Sequence, residues 1–278
     1  TIRSRSLLQR NKRLLIAVSG GQDSLCLAKL LLDLRSKWDW SLAIVHCDHG
    51  WRADSAENAD HVLQLAQRWQ IPCFVETAQA LPATEAAARS WRYEVFAAVA
   101  SAHQYHHVVT GHTATDRAET VLYNLLRGSG ADGVQALGWQ RPLSLEHSEI
   151  YVTRPLLQLT RQETGAFCRE LALPIWHDVS NDDLHYRRNR IRHELMPYLR
   201  SHFNPNVETT LAQTAEIFMA EVSYLEHQTA QVYSQVVTIE EDIWRIDRTR
   251  FKTILLALQR RVARRLLQTL LSQQPNFE

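Results

Sequence analysis

Short apolar runs alternate with longer amphipathic segments along the first half of the chain. The apolar runs have the length of strands and end at glycine or polar residues, whereas leucines or alanines recur at helical spacing between them. The predicted strands are 13–18, 41–46, 72–75 and 107–110, and the predicted helices are 23–34, 55–69, 83–102 and 113–127. Strands that alternate with helices form βαβ units, so the pattern predicts an α/β fold with a parallel sheet covered on both faces.

The pattern is less regular in the second half. It predicts a loop or hairpin tip at 142–148, a strand at 150–152, and helices at 160–171 and 187–199. A breaker at Phe203-Asn204-Pro205-Asn206 marks the predicted domain boundary. We therefore expect an α/β domain over 1–203 and a smaller helical domain over 204–278. The helical domain is predicted to contain two long amphipathic helices around a short connection, 207–233 and 249–271.

Composition narrows the class of protein. Hydrophobic residues make up 45% and charged residues 22% of 278 positions, which is typical of a globular chain and excludes intrinsic disorder. No apolar run approaches the roughly 20 residues of a membrane-spanning helix, so no membrane association is expected. The four cysteines are scattered without a CxxC pair, which favours a reduced, cytoplasmic protein.

Positive charge is unevenly distributed although the net charge is only +1. The segment 243–278 carries eight basic residues against two acids, and 187–200 carries five arginines against Glu194. This asymmetry is compatible with a polyanionic partner, and equally with solvated helix faces.

The strongest chemical signal is the segment Ser19-Gly20-Gly21-Gln22-Asp23-Ser24, which follows the first predicted strand and opens the first predicted helix. Glycines let the backbone approach a ligand closely, and a helix N-terminus offers free amides to phosphate. Asp23 could hold a divalent cation that bridges phosphates. No GxxxxGK[ST] motif is present, so this is not a kinase or GTPase P-loop. A simple serine-capped turn is the alternative.

A second signal follows the fourth predicted strand. Asp116 and Glu119 are three residues apart, so they share one helix face and could receive an ammonium group or a metal. An acidic first turn favoured by the helix dipole is the alternative. A third signal is the arginine-rich segment 187–192, whose guanidinium groups suit phosphate oxygens or a solvated helix face.

Two other segments are weaker. The sequence Gly128-Ser129-Gly130-Ala131-Asp132-Gly133 fits GxGxxG but closes a helix instead of following a strand, so it predicts a helix C-terminus and a flexible loop, not a dinucleotide site. His46-Cys47-Asp48-His49-Gly50 ends the second strand. It favours a loop at the nucleotide edge over a fragment of a zinc site.

At these residues the chain resembles a known family. Ser19 to Ser24 looks like the SGGxDS loop of the N-type ATP pyrophosphatases (the PP-loop superfamily). The wider set of motifs is similar to the tRNA(Ile)-lysidine synthetase family: His46-x-Asp48-His49-Gly50-x-Arg52, Ala88-Arg89-x-x-Arg92-Tyr93, Gly111-His112-x-x-x-Asp116-x-x-Glu119-Thr120, Leu126-Arg127-Gly128-Ser129-Gly130, Arg154-Pro155-Leu156-Leu157, and Asp178-x-Ser180-Asn181 with Arg188-Asn189-x-Ile191-Arg192. The resemblance covers about 13–200.

The resemblance implies a PP-loop (adenine nucleotide alpha hydrolase-like) fold and a ligase reaction. ATP, L-lysine and a tRNA(Ile) with a CAU anticodon would give lysidine at the wobble cytidine, through an adenylated tRNA intermediate, with AMP and pyrophosphate released. It also implies Mg²⁺ and allows a homodimer.

The resemblance also implies roles for individual residues. ATP would bind at Ala17, Ser19, Gly20, Gly21, Gln22, Asp23, Ser24, His46 and His112, with Mg²⁺ on Asp23. The implied catalytic residues are Asp23, Arg92, Asp116 and Glu119, with Arg89 as a further group at the transferring phosphate. Asp116 and Glu119 would receive the lysine ammonium. The tRNA would contact Arg188, Asn189 and Arg192, and also the domain 204–278.

Three alternatives differ in what they require. A PP-loop tRNA thiolase shares the ATP loop but needs a persulfide cysteine or a cluster-binding cysteine set. An amidotransferase of the GMP-synthetase type needs an ammonia source. A non-enzymatic RNA-binding module needs neither the 19–24 loop nor the carboxylate pair beside a sheet edge.

Overall fold

A six-stranded sheet with the strand order β3-β2-β1-β4-β6-β5 forms the centre of the first part of the chain. Its strands are β1 (Arg13–Ala17), β2 (Ser41–Asp48), β3 (Cys73–Thr77), β4 (His107–Thr110), β5 (Gln140–Pro142) and β6 (Tyr151–Thr153). All neighbours pair in parallel except β5, which runs antiparallel to β6 at the edge. This computed structural model describes residues 1–51, 54–80, 84–144, 146–178, 183–240 and 243–273. The motif residues Arg52, Ser180 and Asn181 lie outside those ranges.

The helices of this part connect the strands. They are α1 (Gln22–Trp38), α2 (Ser55–Trp69), α3 (Glu85–Ala102), α4 (Ala114–Leu126), α5 (Ala131–Val134), α6 (Arg161–Glu170), α7 (Arg187–Arg190), a π-helical turn (Ile191–Leu195) and α8 (Met196–His202). The central strands are apolar throughout because both of their faces are covered; Leu14, Leu15 and Ile16 are fully buried. The predicted α/β fold is confirmed.

The order of the strands determines where a ligand can bind. Chain order runs outward from β1 through β2 to β3 on one side, and resumes at β4 on the other side of β1. In open α/β sheets, ligands bind outside the carboxyl ends of the strands at such a reversal. The segments after β1 and β4 are the two that carried the strongest sequence signals.

Two local predictions need correction. Gly128, with φ +77°, does end α4, but residues 131–134 form the helical turn α5, whose Gly133 carbonyl accepts a 2.7 Å hydrogen bond from Asn124. The flexible loop predicted there is therefore partly a helix. The helix predicted at 187–199 is interrupted by the π-helical turn Ile191–Leu195.

The chain divides into two compact units, Thr1–Ala215 and Glu216–Glu278. This division lies after the boundary predicted at residue 203, because the helix α9 (Val207–Val236) starts within the first unit. Val207 and Leu211 pack there beside a small core of Ala118, Ile191 and Met196.

The sequence predicted a helical C-terminal domain, whereas the second unit also contains two strands. Its short connection is a hairpin of β7 (Val237–Glu240) and β8 (Ile243–Ile246), and the predicted helix 249–271 is split into α10 (Arg248–Thr253) and α11 (Leu256–Gln273). The split occurs because Ile254 is extended and packs on a core of Val236, Val237 and Val262. Within the described ranges, no helix combines the length and hydrophobicity that crossing a bilayer requires.

Candidate active site

The loop 19–24 joins β1 to α1 with a backbone that only glycine tolerates at one position. Gly20 has φ +86°, and a Cβ there would lie 2.4 Å from Oδ1 of Asn58. Asn58 in turn donates from Nδ2 to the Ser19 carbonyl at 3.0 Å. Ser24 Oγ donates to the Gly21 carbonyl at 2.8 Å, which closes the loop onto the first turn of α1.

The N-terminus of α1 is free to bind an anion. The residue at its N-cap, Gly21, supplies no side-chain acceptor for the amides of the first turn. These amides and the positive end of the helix dipole are able to bind a phosphate group. Ser19, Gly20, Gly21 and Ser24 therefore lie around one helix N-terminus.

Asp23 is held by α6, which the sequence did not reveal. Thr164 donates its hydroxyl to Oδ1 of Asp23, and Arg161 Nη1 lies 3.6 Å from Oδ2. The pKa of Asp23 is raised above its usual value because burial outweighs the opposing effects of Thr164 and Arg161. Gln22 uses its side chain for the same helix, donating to the Arg161 carbonyl at 2.7 Å. Its expected contact with ATP is thereby left to the backbone amide.

Asp23 suits a magnesium ion that arrives with phosphate. Within the described segments, no three His, Cys, Asp or Glu side chains converge as a metal site would require. Mg²⁺ is commonly held by one or two carboxylates together with substrate phosphates and water. A single carboxylate, 16% exposed beside the free N-terminus of α1, fits that arrangement.

The turn after β4 packs directly on the first turn of α1. A Cβ on Gly111 would lie 2.8 Å from the Asp23 carbonyl oxygen, so only glycine permits this approach. His112 follows and shares a 2.8 Å hydrogen bond with Thr110 Oγ1. Burial lowers the pKa of His112 and Arg154 lowers it further, against the opposing effect of Asp116, so the imidazole is neutral.

His46 lies behind the loop. Its Nδ1 donates to the Val18 carbonyl at 2.8 Å, and the side chain is buried between the ends of β1 and β2. Ala17 is the last residue of β1 and pairs with Val45 and Thr110. Both residues therefore lie near the carboxyl ends of β1 and β2, where the family resemblance implies ATP binding.

The carboxylates of Asp116 and Glu119 do lie together, and two arginines cover them. Arg192 donates to Glu119 through Nε at 2.6 Å and Nη2 at 2.9 Å, and its Nη2 lies 3.3 Å from Asp116 Oδ1. Arg188 donates from Nη2 to Asp116 Oδ1 at 2.8 Å and from Nε to Glu119 Oε2 at 3.2 Å. The four side chains form a neutral cluster, here called the acid–arginine cluster.

The electrostatics of this cluster follow from its burial. Glu119 has 0% side-chain exposure and Asp116 12%, whereas Arg188 remains 36% exposed. Burial alone would raise the pKa of Asp116, but Arg188 and its other partners outweigh burial and lower it. The family resemblance implied lysine for the two carboxylates and tRNA for the two arginines; the structure brings both pairs of side chains together.

Asn189 and Arg92 make contacts of a different kind. Asn189 Nδ2 donates to the Asp183 carbonyl at 2.9 Å, within its own segment of the chain. Arg92 Nη2 donates to Nε2 of His49 at 3.0 Å, and His49 donates from Nδ1 to the Cys47 carbonyl. Arg92 is thus held at the end of β2, on the same sheet edge as the 19–24 loop.

Several residues of this edge were missed or left without a role. Thr164 forms a hydrogen bond and Arg161 an ion pair with Asp23, and Arg141 and Arg154 surround Tyr93. The Thr160 capping box, present in the structure, correctly starts α6, but nothing in the spacing says that this helix faces α1.

Comparisons with known proteins identify the family. A family model described as a PP-loop domain matches residues 2–199. The chain is 54% identical to a tRNA(Ile)-lysidine synthase of Nostoc sp. over 100% of this chain and 84% of the relative. It is 53% identical to a protein of that name from Synechocystis sp., over 96% of this chain and 81% of the relative. It is 37% identical to a chloroplastic one from Zygnema circumcarinatum, over 99% and 74%.

A more distant likeness concerns the fold. The U34-tRNA thiolase NcsA from Methanococcus maripaludis, solved with its [4Fe-4S] cluster, superposes with a TM-score of 0.63 at 16% identity, over 78% of this chain and 75% of that one. This similarity supports the PP-loop architecture alone. The family model and the near full-length relatives together show that the chain belongs to the tRNA(Ile)-lysidine synthase family of PP-loop proteins.

Proposed function

We propose that this ATP-using enzyme ligates L-lysine to C2 of the wobble cytidine of a tRNA(Ile) with a CAU anticodon. One observation carries the proposal: the free N-terminus of α1 and the buried Asp116–Glu119 pair follow the two strands at which the chain order reverses, and their turns are in contact. A phosphate site after β1 and an amine site after β4 would thereby lie side by side. The relatives' name, tRNA(Ile)-lysidine synthase, agrees with lysine and tRNA(Ile) as the two substrates that are joined.

The reaction proceeds in two steps. The O2 oxygen of cytosine attacks the α-phosphate of ATP, so that the bond to the β-phosphate breaks and pyrophosphate leaves. The neutral ε-amine of lysine then attacks C2, and AMP departs with the former O2 oxygen. The protein must neutralise phosphate charge, orient the reactants and accept the ammonium proton.

The first step uses the loop 19–24. The amides of Gly21 and of the first turn of α1 bind the departing pyrophosphate, and the hydroxyls of Ser19 and Ser24 lie beside them. Mg²⁺ would be held by Asp23 and would supply neutralisation of the polyphosphate. Arg92, fixed through His49, would stabilise the transferring phosphate.

The second step uses the acid–arginine cluster. A lysine ammonium can pair with Asp116 and Glu119 only if a guanidinium leaves, because the arginines already neutralise both carboxylates. Arg188 is the one to exchange, since it is 36% exposed whereas Arg192 is 16% exposed. Released from the carboxylates, Arg188 would pair with a phosphate of the adenylated tRNA, beside Asn189 and Arg192. Because this phosphate is present only once the tRNA is adenylated, lysine would bind after adenylation.

The remaining expectations are part of the same proposal. A cytoplasmic location, a homodimer and contact between tRNA and the C-terminal domain stay predictions. The thiolase alternative rests on the shared fold alone, at 16% identity.

Pyrophosphate release tests the proposal. The enzyme is incubated with MgATP, and the tRNA(Ile) transcript and lysine are each omitted in turn. Pyrophosphate should require the transcript, and lysidine, detected by nucleoside mass spectrometry, should require all three substrates. A transcript with uridine in place of the wobble cytidine is the matched control. Pyrophosphate release without tRNA, or a product nucleoside that contains sulfur, would contradict the proposal.

A further inference from the structure

Three arginines from different elements surround Tyr93 on α3. Arg89 lies one turn earlier on α3, with Nη2 3.5 Å from the Tyr93 hydroxyl oxygen. The Cζ atoms of Arg89 and Arg141 lie 5.2 Å and 4.9 Å from the centre of the Tyr93 ring. Arg154, which directly follows β6, also forms a hydrogen bond with the Tyr93 hydroxyl. We call Arg89, Arg141 and Arg154 the arginine triad.

The triad has no carboxylate partner in the part of the chain that the structure describes, unlike Arg188 and Arg192. Arg141 donates to the backbone carbonyls of Pro142 and Leu143, and Arg154 donates from Nη1 to the Gly138 carbonyl at 2.8 Å. These carbonyls satisfy hydrogen-bond donors but do not neutralise the positive charges.

Arg154 carries the clearest sign of a missing partner. Its residue exposure is only 2%, and its Nε atom is buried without a hydrogen-bond acceptor. A buried charged donor without a partner is costly, and native proteins rarely keep one without a reason. Burial lowers the pKa of Arg154, and Arg141 and Arg89 act in the same direction.

Tyr93 responds to the same excess of positive charge. Burial alone would raise the pKa of the phenol, but the three arginines outweigh it and lower the pKa. The phenol oxygen is therefore a weak substitute for an anion. Guanidinium groups bind phosphate oxygens through paired, charge-assisted hydrogen bonds, and a phosphate group carries enough oxygens to accept from three of them.

The position of the triad relates it to the site already described. Arg154 follows the carboxyl end of β6, which pairs with β4, and His112 follows β4. Arg154 and Arg89 both lower the pKa of His112, so their charges reach that residue. The N-terminus of α1 follows a different strand, β1.

We propose that Arg89, Arg141 and Arg154 form a second phosphate site, which binds a phosphate group of a substrate beside His112. The choice of probes rests on the proposed function, which supplies two sources of phosphate: the tRNA backbone and the nucleotide. The anion displaces the Tyr93 hydroxyl as acceptor for the guanidinium donors. It also supplies the negative charge that would neutralise Arg154.

Binding measurements with Arg89→Gln and Arg141→Gln test the site. Both arginines are exposed, so the variants should fold, and Arg68→Gln on α2 removes one exposed charge elsewhere as the matched control. The probes are a tRNA(Ile) transcript at several salt concentrations and α,β-methylene ATP with Mg²⁺. Loss of one charge-assisted contact should weaken binding of one probe by about tenfold or more.

The two arms identify the source of the phosphate. A weaker affinity for the transcript, with a salt slope smaller by about one, assigns the site to the tRNA backbone. A weaker affinity for the ATP analogue alone assigns it to the nucleotide. Binding of both probes equal to that of Arg68→Gln would overturn the proposal. These assays need neither lysine nor turnover, so they remain decisive if the wild-type enzyme forms no lysidine.

Tyr93→Phe separates ligand binding from a purely structural role of the triad. The phenylalanine keeps the ring between the arginines but removes the competing hydroxyl, so the affected probe should bind as well as, or better than, it binds the wild type. A loss as large as that of Arg141→Gln would show that the arginines act by shaping the cluster, and would refute the phosphate site.

Discussion

The acid–arginine cluster allows a quantitative prediction about stability. Glu119 is completely buried and accepts three hydrogen bonds from guanidinium groups, two of them from Arg192. The change Arg192→Met removes these two and keeps an unbranched, mostly apolar stem in place of the first part of the arginine side chain. Breaking a buried ion pair on one side costs roughly 3–5 kcal/mol, because an uncompensated charge is left in the interior. Since Arg188 remains 3.2 Å from Glu119, we expect a loss of about 3 kcal/mol.

A double variant isolates the charge effect. Glu119→Gln makes the partner neutral, so Arg192→Met/Glu119→Gln should recover at least about 1.5 kcal/mol of the loss caused by Arg192→Met alone. Arg190→Met is the matched control. It lies on the same segment, but its pair with Glu194 is 3.3 Å long and exposed on both sides, so it should cost at most about 0.5 kcal/mol.

Urea unfolding at neutral pH, followed by tryptophan fluorescence, measures these differences. Trp244 is the single tryptophan of the second unit among eight in the chain, so the signal reports mainly the first unit. Equal losses in Arg192→Met and Arg190→Met would refute the reasoning. A double variant whose loss equals the sum of the losses of Arg192→Met and Glu119→Gln would refute it as well, because no coupling between the two charges would then exist.

Three other predictions concern the same groups. The pKa of Asp116 lies below its usual 3.8, so its contribution to stability is present above that pH and is lost as the pH falls further; urea midpoints should therefore drop more steeply below pH 4 in the wild type than in Asp116→Asn. The pKa of Asp23 is raised, so its charged form opposes folding at neutral pH; Asp23→Asn should raise the thermal midpoint while abolishing pyrophosphate release, and a lower midpoint would contradict this. Arg188→Gln should bind lysine more tightly in the absence of nucleotide but bind the tRNA transcript more weakly with a smaller salt slope, whereas unchanged lysine affinity would count against the exchange of Arg188.

The sequence by itself determined the strands β1 to β4 with the helices between them, and the edge of the sheet at which the predicted site residues lie. Buried parallel strands appear in the sequence as continuous apolar runs, and the loop 19–24 needs glycine for its positive φ. Both features can therefore be recognised from a few consecutive residues. Asp116 and Glu119 could be paired from their spacing, because residues three apart lie on one face of a helix.

Only the tertiary structure decided what those side chains contact. Arg192 meets Glu119 across 73 positions of the chain, and Thr164 meets Asp23 across 141. Such contacts depend on how α6 and the π-helical turn pack against α1 and α4, which helical periodicity does not encode. A run of arginines looks the same whether it is solvated, as at Arg190, or neutralises buried carboxylates, as at Arg192, because the difference lies in the dielectric surroundings that packing creates.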